Sequence, residues 1–442
     1  MKPNNHKGVP KRLFRTLINI LTLPANFLWR KRKIFGWAVF MLIVAHSLSV
    51  LYLARGIDSE IAKIKEKGDP VTISDITLKS VPDSQNSWPI YKEIFKEVEK
   101  LSKDIDYVKW YNMSNREDRL KAIKGEDKNG NASLKRIIRK HKHVFGLLDE
   151  AVKRPYYRDG FNWENIGIIG NESDSKIIFK RMEYFRKAVR ILTLKSQLAA
   201  YDGKKEVAIE DAKKVFLVAE ALKETPTLFC QLARIAFLSA AAKNINTIAA
   251  AGVLDEISAK KLDLYLSEIS LDGIYQYALK TERVFVIYNF QNTIHKITGY
   301  PARPIFYMDE LYYLEEVQKQ IDAPLPGPLI KEKVYSRSHP LSEISLRVNY
   351  AMGKKITAAI AMQDGTRIFL GLIAYKDKYG LYPKTLDELK TKLNWEVKDD
   401  ACSGKPFVYR LKGNGFILYS FGDNGKDDGG KMGVDSVWEM DR

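Results

Sequence analysis

The longest apolar stretch of the chain is Ile34 to Ala54, IFGWAVFMLIVAHSLSVLYLA, 21 residues without one Asp, Glu, Lys or Arg. A helix needs about 20 apolar residues to cross the hydrocarbon core of a bilayer. A cleaved secretory signal has an apolar region of about 7–15 residues, and this run is longer and starts farther from the N-terminus. A buried core helix rarely stays charge-free for so long beside a basic cluster. The pattern therefore predicts an uncleaved transmembrane helix over 34–54, ended by Arg55, Asp58 and Glu60. Upstream, Leu13, Phe14, Leu17, Ile18 and Leu21 keep helical spacing among Lys11, Arg12 and Arg15 until Pro24. Both a short helix on anionic lipid and a plain basic tail suit that pattern.

Beyond the anchor the polar and apolar positions change period. Ile57, Ile61 and Ile64 continue a helical stripe that Gly68-Asp69-Pro70 stops, so 55–81 reads as a stalk. Trp88, Ile90, Tyr91, Ile94, Phe95 and Val98 give the next apolar helix face, and 99–145 is polar enough for a surface helix, loop and helix. From 177 to 270 the pattern is clearest. Ile178, Met182, Phe185, Val189 and Leu192 repeat at 4-3-4-3, and so do Ala208, Ala212, Val215, Ala219 and Leu222 after a turn at Asp202-Gly203. Thr225-Pro226 offers an N-cap and a first-turn proline for a third helix, Gly252 ends it, and Asp255 can cap a fourth. Short connections make these antiparallel hairpins. A plain bundle fits them better than a stacked array, since no repeat consensus links the pairs.

Tyr275 to Ile297 reads as an aromatic-rich helix. Six prolines then crowd into 301–340 around a short helix near Met308–Ile321, which makes 298–340 a connector and places a boundary near 341. Ser342 can cap a long helix toward Tyr379, with a kink at Gly353 and a C-cap at Gly380. A short helix over Asp387 to Leu393 follows. Strands at Phe407–Leu411 and Phe416–Phe421 flank Gly413-Asn414-Gly415, a hairpin signal. The domains expected are thus 1–33 tail, 34–54 transmembrane helix, 55–81 stalk, 82–297 helical domain, 298–340 connector and 341–442 α+β module. The fold class is mainly α, with an antiparallel sheet confined to the C-terminal module.

The last fifth of the chain carries a Tyr379-Gly380-Leu381-Tyr382-Pro383 turn after a helix and a Gly404-Lys405-Pro406-Phe407-Val408-Tyr409 strand. A Leu418-Tyr419-Ser420 strand and an acidic glycine loop before Trp438 complete the series. In that order these features resemble the C-terminal half of the major pseudopilin of type II secretion systems. The whole chain is also similar to a group of bacterial membrane-anchored proteins that share the Asn86-Ser87-Trp88-Pro89-Ile90-Tyr91 segment. They share as well Glu224-Thr225-Pro226-Thr227-Leu228, with Gln231 and Arg234, and the Glu282-Arg283 pair. That second resemblance implies architecture only. The first implies a calcium site in the acidic loop, with side-chain ligands at the positions of Asn424 and Asp435; Asp423, Asp427 and Asp428 are further oxygen donors. Calcium takes six to eight oxygens and glycines let the backbone curl around it. Asn424 is neutral where an acid is usual, and a self-bonded Asx turn is the competing reading. The chain departs from a pilin precursor, which is cleaved after a Gly that opens the apolar helix and carries Glu five residues on. Here Gly36 is followed at that place by Met41. Processing into a filament is therefore not expected.

Charge sharpens the picture. The chain carries 72 Lys+Arg against 54 Asp+Glu, net +18. Nine of those positive charges, from Lys2 to Lys33, lie before the apolar run with no acid among them. By the positive-inside rule the Arg30–Lys33 cluster stays in the cytoplasm and the bulk lies across the membrane, which removes nucleic acid as a partner. No Gly-x-Ser-x-Gly, His-Glu-x-x-His or P-loop pattern occurs. His141 and His143, two apart, point to different sides of a helix. Cys230 suits a core, Cys402 a loop, and the compartment permits a disulfide between them. Arg234, Glu282 and Arg283 interrupt apolar faces and read first as internal ion pairs. The function expected is a membrane-anchored scaffold or binding protein, not an enzyme, with an envelope or secretion protein as partner. The alternative is a hydrolase of envelope polymers using carboxylates such as Glu282 in a cleft.

Overall fold

A computed structural model describes residues 32–113, 115–165, 172–323 and 339–440. The basic tail up to Lys31 lies outside them, as does the stretch 324–338 of the proline-rich connector. The chain is mainly helical with one small antiparallel sheet near its C-terminal end.

The apolar run belongs to α1 (Arg32–Glu66), one unbroken helix of 35 residues. Its most apolar window has a mean hydropathy of 2.1, and none of its residues is fully buried. The expected stalk is the second half of this helix, and it is not free: Ile57 and Ile64 are buried. Val71, Ile73 and Ile76 are buried too, behind a capping box in which Thr72 and Asp75 bond each other's backbone. The polar stretch after it holds more helix than its composition suggests: α2 (Trp88–Leu101), α3 (Ile105–Asn112), α4 (Arg116–Lys124), α5 (Lys128–Lys140) and α6 (Lys142–Ala151). Asp104, Asn115 and Asp127 cap α3, α4 and α5, which is how short polar helices hold their ends.

The hairpins follow the spacing: α7 (Glu172–Tyr201), α8 (Lys205–Glu220), α9 (Leu228–Ala250) and α10 (Glu256–Glu268). Asp255 caps α10 in a box with Ser258. The start of α9 differs from expectation. Thr227, not Thr225, accepts from the Cys230 N–H. Gln231 explains the shift: its Nε2 donates to the carbonyls of Leu222, Lys223 and Thr225 at 3.0, 3.2 and 2.8 Å, holding the approach in a non-helical path. Next comes α11 (Ile274–Asn289), followed by a π turn at Phe290–Ile294. The connector contains a full 20-residue helix, α12 (Arg303–Asp322), packed along α1.

The central element is α13 (Pro340–Tyr379), 40 residues and about 60 Å at ~1.5 Å per residue. It packs on α12, α9 and α10 and then carries the sheet. Gly353, where a kink is expected, lies within its continuous helical span. Ser342 does not cap it. Asp309 of α12 does, accepting from the Leu341 and Ser342 N–H groups at 3.1 Å each. α13 is also apolar enough to span a membrane, but 72% of its apolar window is buried, as a core helix requires. After α14 (Asp387–Leu393), β1 (Val408–Lys412) and β2 (Gly415–Ser420) pair across the Gly413-Asn414 turn, and β3 (Ser436–Met440) completes the order β1-β2-β3. One hydrophobic core runs from Ile57 to Trp438 and crosses the boundary expected near 341, which falls at the start of α13.

Candidate functional site

The acidic loop joins β2 to β3. Gly422–Asn424 form a short turn, and Gly425, Gly429, Gly430 and Gly433 all have positive φ, which lets the chain curl. Its side chains bond one another and the local backbone. Asn424 Nδ2 donates to Asp428 at 2.8 Å, and Asn424 Oδ1 accepts from the Lys426 N–H at 2.9 Å. Asp427 accepts from the Gly429 N–H and from the Tyr419 hydroxyl at 2.9 and 3.0 Å. Asp435 is buried, and one of its oxygens accepts from the N–H groups of Gly430 and Lys431 at 2.8 and 3.2 Å. Its other oxygen, Oδ1, is buried without a hydrogen-bond partner. A buried carboxylate with one open oxygen suits a hard cation. Asp427 and Asp428 are engaged as an Asx-type turn would have them. The Asp423 side chain lies outside the described residues. Among the described residues no three His, Cys, Asp or Glu side chains gather as a metal site.

No sequence pattern points to a cleft of about 1480 Å³ between the helical body and the C-terminal sheet. Its walls come from α4, α7, α9, α13 and the strand β3. Small-molecule pockets usually measure about 300–1,000 Å³, so this one suits an extended partner. Small side chains line α9 and α13: Ala236, Ala240 and Ala250 on one, Ala351, Ala358 and Ala359 on the other. Arg119, Lys124, Lys243 and Lys355 add positive charge. The two acids on the wall are committed elsewhere, Asp435 to the loop backbone and Glu439 to Lys412. Asn244 is 1% exposed, gives its Nδ2 to Ser196 at 2.9 Å and leaves Oδ1 without a partner. Arg119 Nε and Thr193 Oγ1 are likewise buried and unpartnered. The cleft thus offers an apolar floor and a net positive wall.

No family model, curated protein or solved structure matches the chain.

Of the three charged residues read as internal pairs, Arg234 and Arg283 do pair, each with its own partner. Arg234 holds Glu220 through Nε and Nη2 at 3.0 and 2.8 Å. Arg283, fully buried, bonds Asp69 at 3.1 Å and Gln318 at 2.7 Å, tying the end of α1 to α11 and α12. Glu282 joins neither. Burial pushes its carboxyl up to about 7, against the opposing pull of the Leu228 N–H at the start of α9. It lines neither the large cleft nor a second open one of about 960 Å³ beside Asp69 and Lys280. His141 is buried against Asp104, 3.3 Å away. Cys230 and Cys402 are separate buried thiols, not a disulfide, and burial pushes Cys230 up to about 12.

Proposed function

We propose that the protein is a single-pass, membrane-anchored extracytoplasmic binding protein or scaffold that holds a partner of secretion or envelope assembly in the cleft between its helical body and its C-terminal sheet. The observation that carries this reading is the cleft itself: too large for a small substrate, floored by small apolar side chains and positive on one wall. The basic cluster before the apolar run supports a cytoplasmic N-terminus. The long helix, hairpin and glycine loop, in that order, support a pseudopilin-like module over 341–442, and calcium would bind at the acidic loop through Asp435. Met41 and the interposed helical body speak against processing into a filament.

Two experiments test it. A periplasm-active reporter fused to the C-terminus of the full chain is active, and a cytoplasm-active one is not; the reverse refutes the topology. A photo-crosslinking residue at Ala351 captures an envelope protein that the same probe at Ile257, exposed on α10, does not. Equal capture at both refutes the cleft. The hydrolase alternative rests on Glu282, whose raised carboxyl could donate a proton near neutrality. It requires that Glu282→Gln abolish cleavage of an envelope polymer.

A further inference from the structure

The head does not stand clear of the apolar helix. Side chains from Arg32 to Ile43 are all exposed, but from Val44 onward one face of α1 is covered by protein. The covering residues are the turn before α12 and α12 itself. His46 Nε2 lies 3.1 Å from the Pro301 carbonyl oxygen, and the Tyr300 hydroxyl donates to Ser47 Oγ at 2.9 Å. Farther along, Gly56 faces Leu311 and Lys67 reaches Asp322 at 3.3 Å. The two helices therefore run in the same direction, side by side. α11 returns antiparallel to α12, with Arg283 beside Gln318 and His295 beside Glu310. Together α11, the π turn and α12 form a helical hairpin whose tip lies against the middle of the apolar run.

Helix geometry fixes the depth. The basic cluster ending at Lys33 marks one edge of the hydrocarbon, and 21 residues at ~1.5 Å each reach about 31 Å to Ala54, matching a core of ~30 Å. His46 then sits roughly 12 Å inside the far edge by the same rise. The ten residues of Ile34–Ile43 alone span only about 15 Å, half the thickness required. The hairpin tip must share the membrane with α1.

Its surface fits that environment. Tyr300, Ile305 and Met308 are 45%, 56% and 44% exposed, and Phe306 and Tyr307 are half-buried between them. From Thr298 to Met308 the only charged residue is Arg303, which sits over the Tyr300 ring and is long enough to turn its head toward water. A helix start in hydrocarbon must not leave N–H groups unbonded. Pro301 and Pro304 have none, and the Ala302 N–H bonds the Gly299 carbonyl at 3.0 Å.

We propose that the tip Thr298–Met308 is a second membrane contact, seated on the order of 10 Å deep in the leaflet on the head's side, as membrane-surface helices are. The proposal rests on the anchor reading, and the test separates the two. Single spin labels are placed at Ile305→Cys, Met308→Cys, Leu42→Cys and Ile257→Cys in the full chain, reconstituted in phosphatidylglycerol–phosphatidylethanolamine bilayers; Cys230 and Cys402 are buried and do not compete. Oxygen and a water-soluble nickel chelate then report depth. The proposal expects the labels at 42, 305 and 308 to be oxygen-accessible and chelate-protected, and the label at 257 the reverse. Lipid exposure at 42 with chelate access at both 305 and 308 overturns the second contact and keeps the anchor. Chelate access at 42 overturns both.

Discussion

Gly365→Ala puts two well-founded expectations in opposition. Gly365 lies inside α13, where exchanging Gly for Ala should stabilise a helix by about 0.5–1 kcal/mol. A Cβ at that position would meet the indole of Trp438, with Cζ3 at 2.6 Å, Cζ2 at 2.7 Å and Cη2 closer still. The ring cannot yield. Trp438 is 0% exposed, and its Nε1 is fixed on Thr366 Oγ1 at 3.1 Å. Overpacking of this kind costs about 1–3 kcal/mol. If β3 instead lifts from α13, the ceiling is the ~3–5 kcal/mol typical of losing a buried Trp. The clash exceeds the propensity gain, so a net loss of about 2 kcal/mol is expected, a fall of roughly 2–3 °C in melting midpoint for a chain of this length. Gly353→Ala is the internal control. It lies in the same helix, and its nearest neighbours are Tyr275 atoms at 3.4–3.5 Å, ordinary contacts, so it should melt at or slightly above the wild type. Thermal circular dichroism of the full chain in detergent reads both. A Gly365→Ala protein that melts no lower than Gly353→Ala would refute the close seating of the sheet on α13.

Glu282 gives a pH prediction. Its folded pKa of about 7 stands above the ordinary 4.5, so the native state holds the proton more tightly. Its contribution to stability is fully present below the unfolded value and is lost as pH rises from about 4.5 through 7, by up to ~3 kcal/mol. Glu282→Gln should therefore match the wild type near pH 4 and exceed it at pH 8 in urea melts; equal stability at both pH values would sink this assignment. Calcium provides the other. Held at a hundredfold excess over its dissociation constant, it should add about 2.7 kcal/mol to the full chain, and Asp435→Asn should remove the gain; identical melts in calcium and chelator dismiss the ion.

The elements were legible where a single periodicity ruled. The buried residues of α8 include Ala208, Ala212, Val215 and Ala219, the spacing read from the sequence. The Gly413-Asn414 turn and α14 also fall where their signals placed them. What escaped was contact between distant segments. α13 begins where Asp309 caps it, 33 residues upstream of Ser342, and no local pattern reveals such a cap. Gly353, Gly365 and Gly371 look alike as helix-interior glycines, yet Gly365 receives Trp438 and Gly371 receives Trp395, while Gly353 meets Tyr275 at ordinary contact distance. β3 lacked alternation strong enough to announce itself; Trp438 alone reaches the core. The acidic loop was found from its glycines and acids. The cleft was not, because its small residues on α9 and α13 are ordinary for close-packed helices and become a floor only when the sheet stands off beside them.

These packing relations bear on where the proposed partner would approach. α1 is continuous from the apolar run into the head, α12 lies along it, and α12 caps and packs α13. The head is thus held by side-by-side helices and not by a swinging stalk. Asp309 lies within two residues of Leu311, which faces Gly56, so it stands near the hydrocarbon edge that the proposed anchor reaches at Ala54. The cleft stretches along α13 from Val348 to Met362. Counted from Ser342 beside Asp309, Met362 is 20 residues on and no more than about 30 Å away at ~1.5 Å per residue. If the proposed anchor and binding cleft hold, a site so close to the bilayer, fixed in height by rigid helices, would favour a partner that is itself carried on the membrane, because tethering both raises their effective concentration without any new contact.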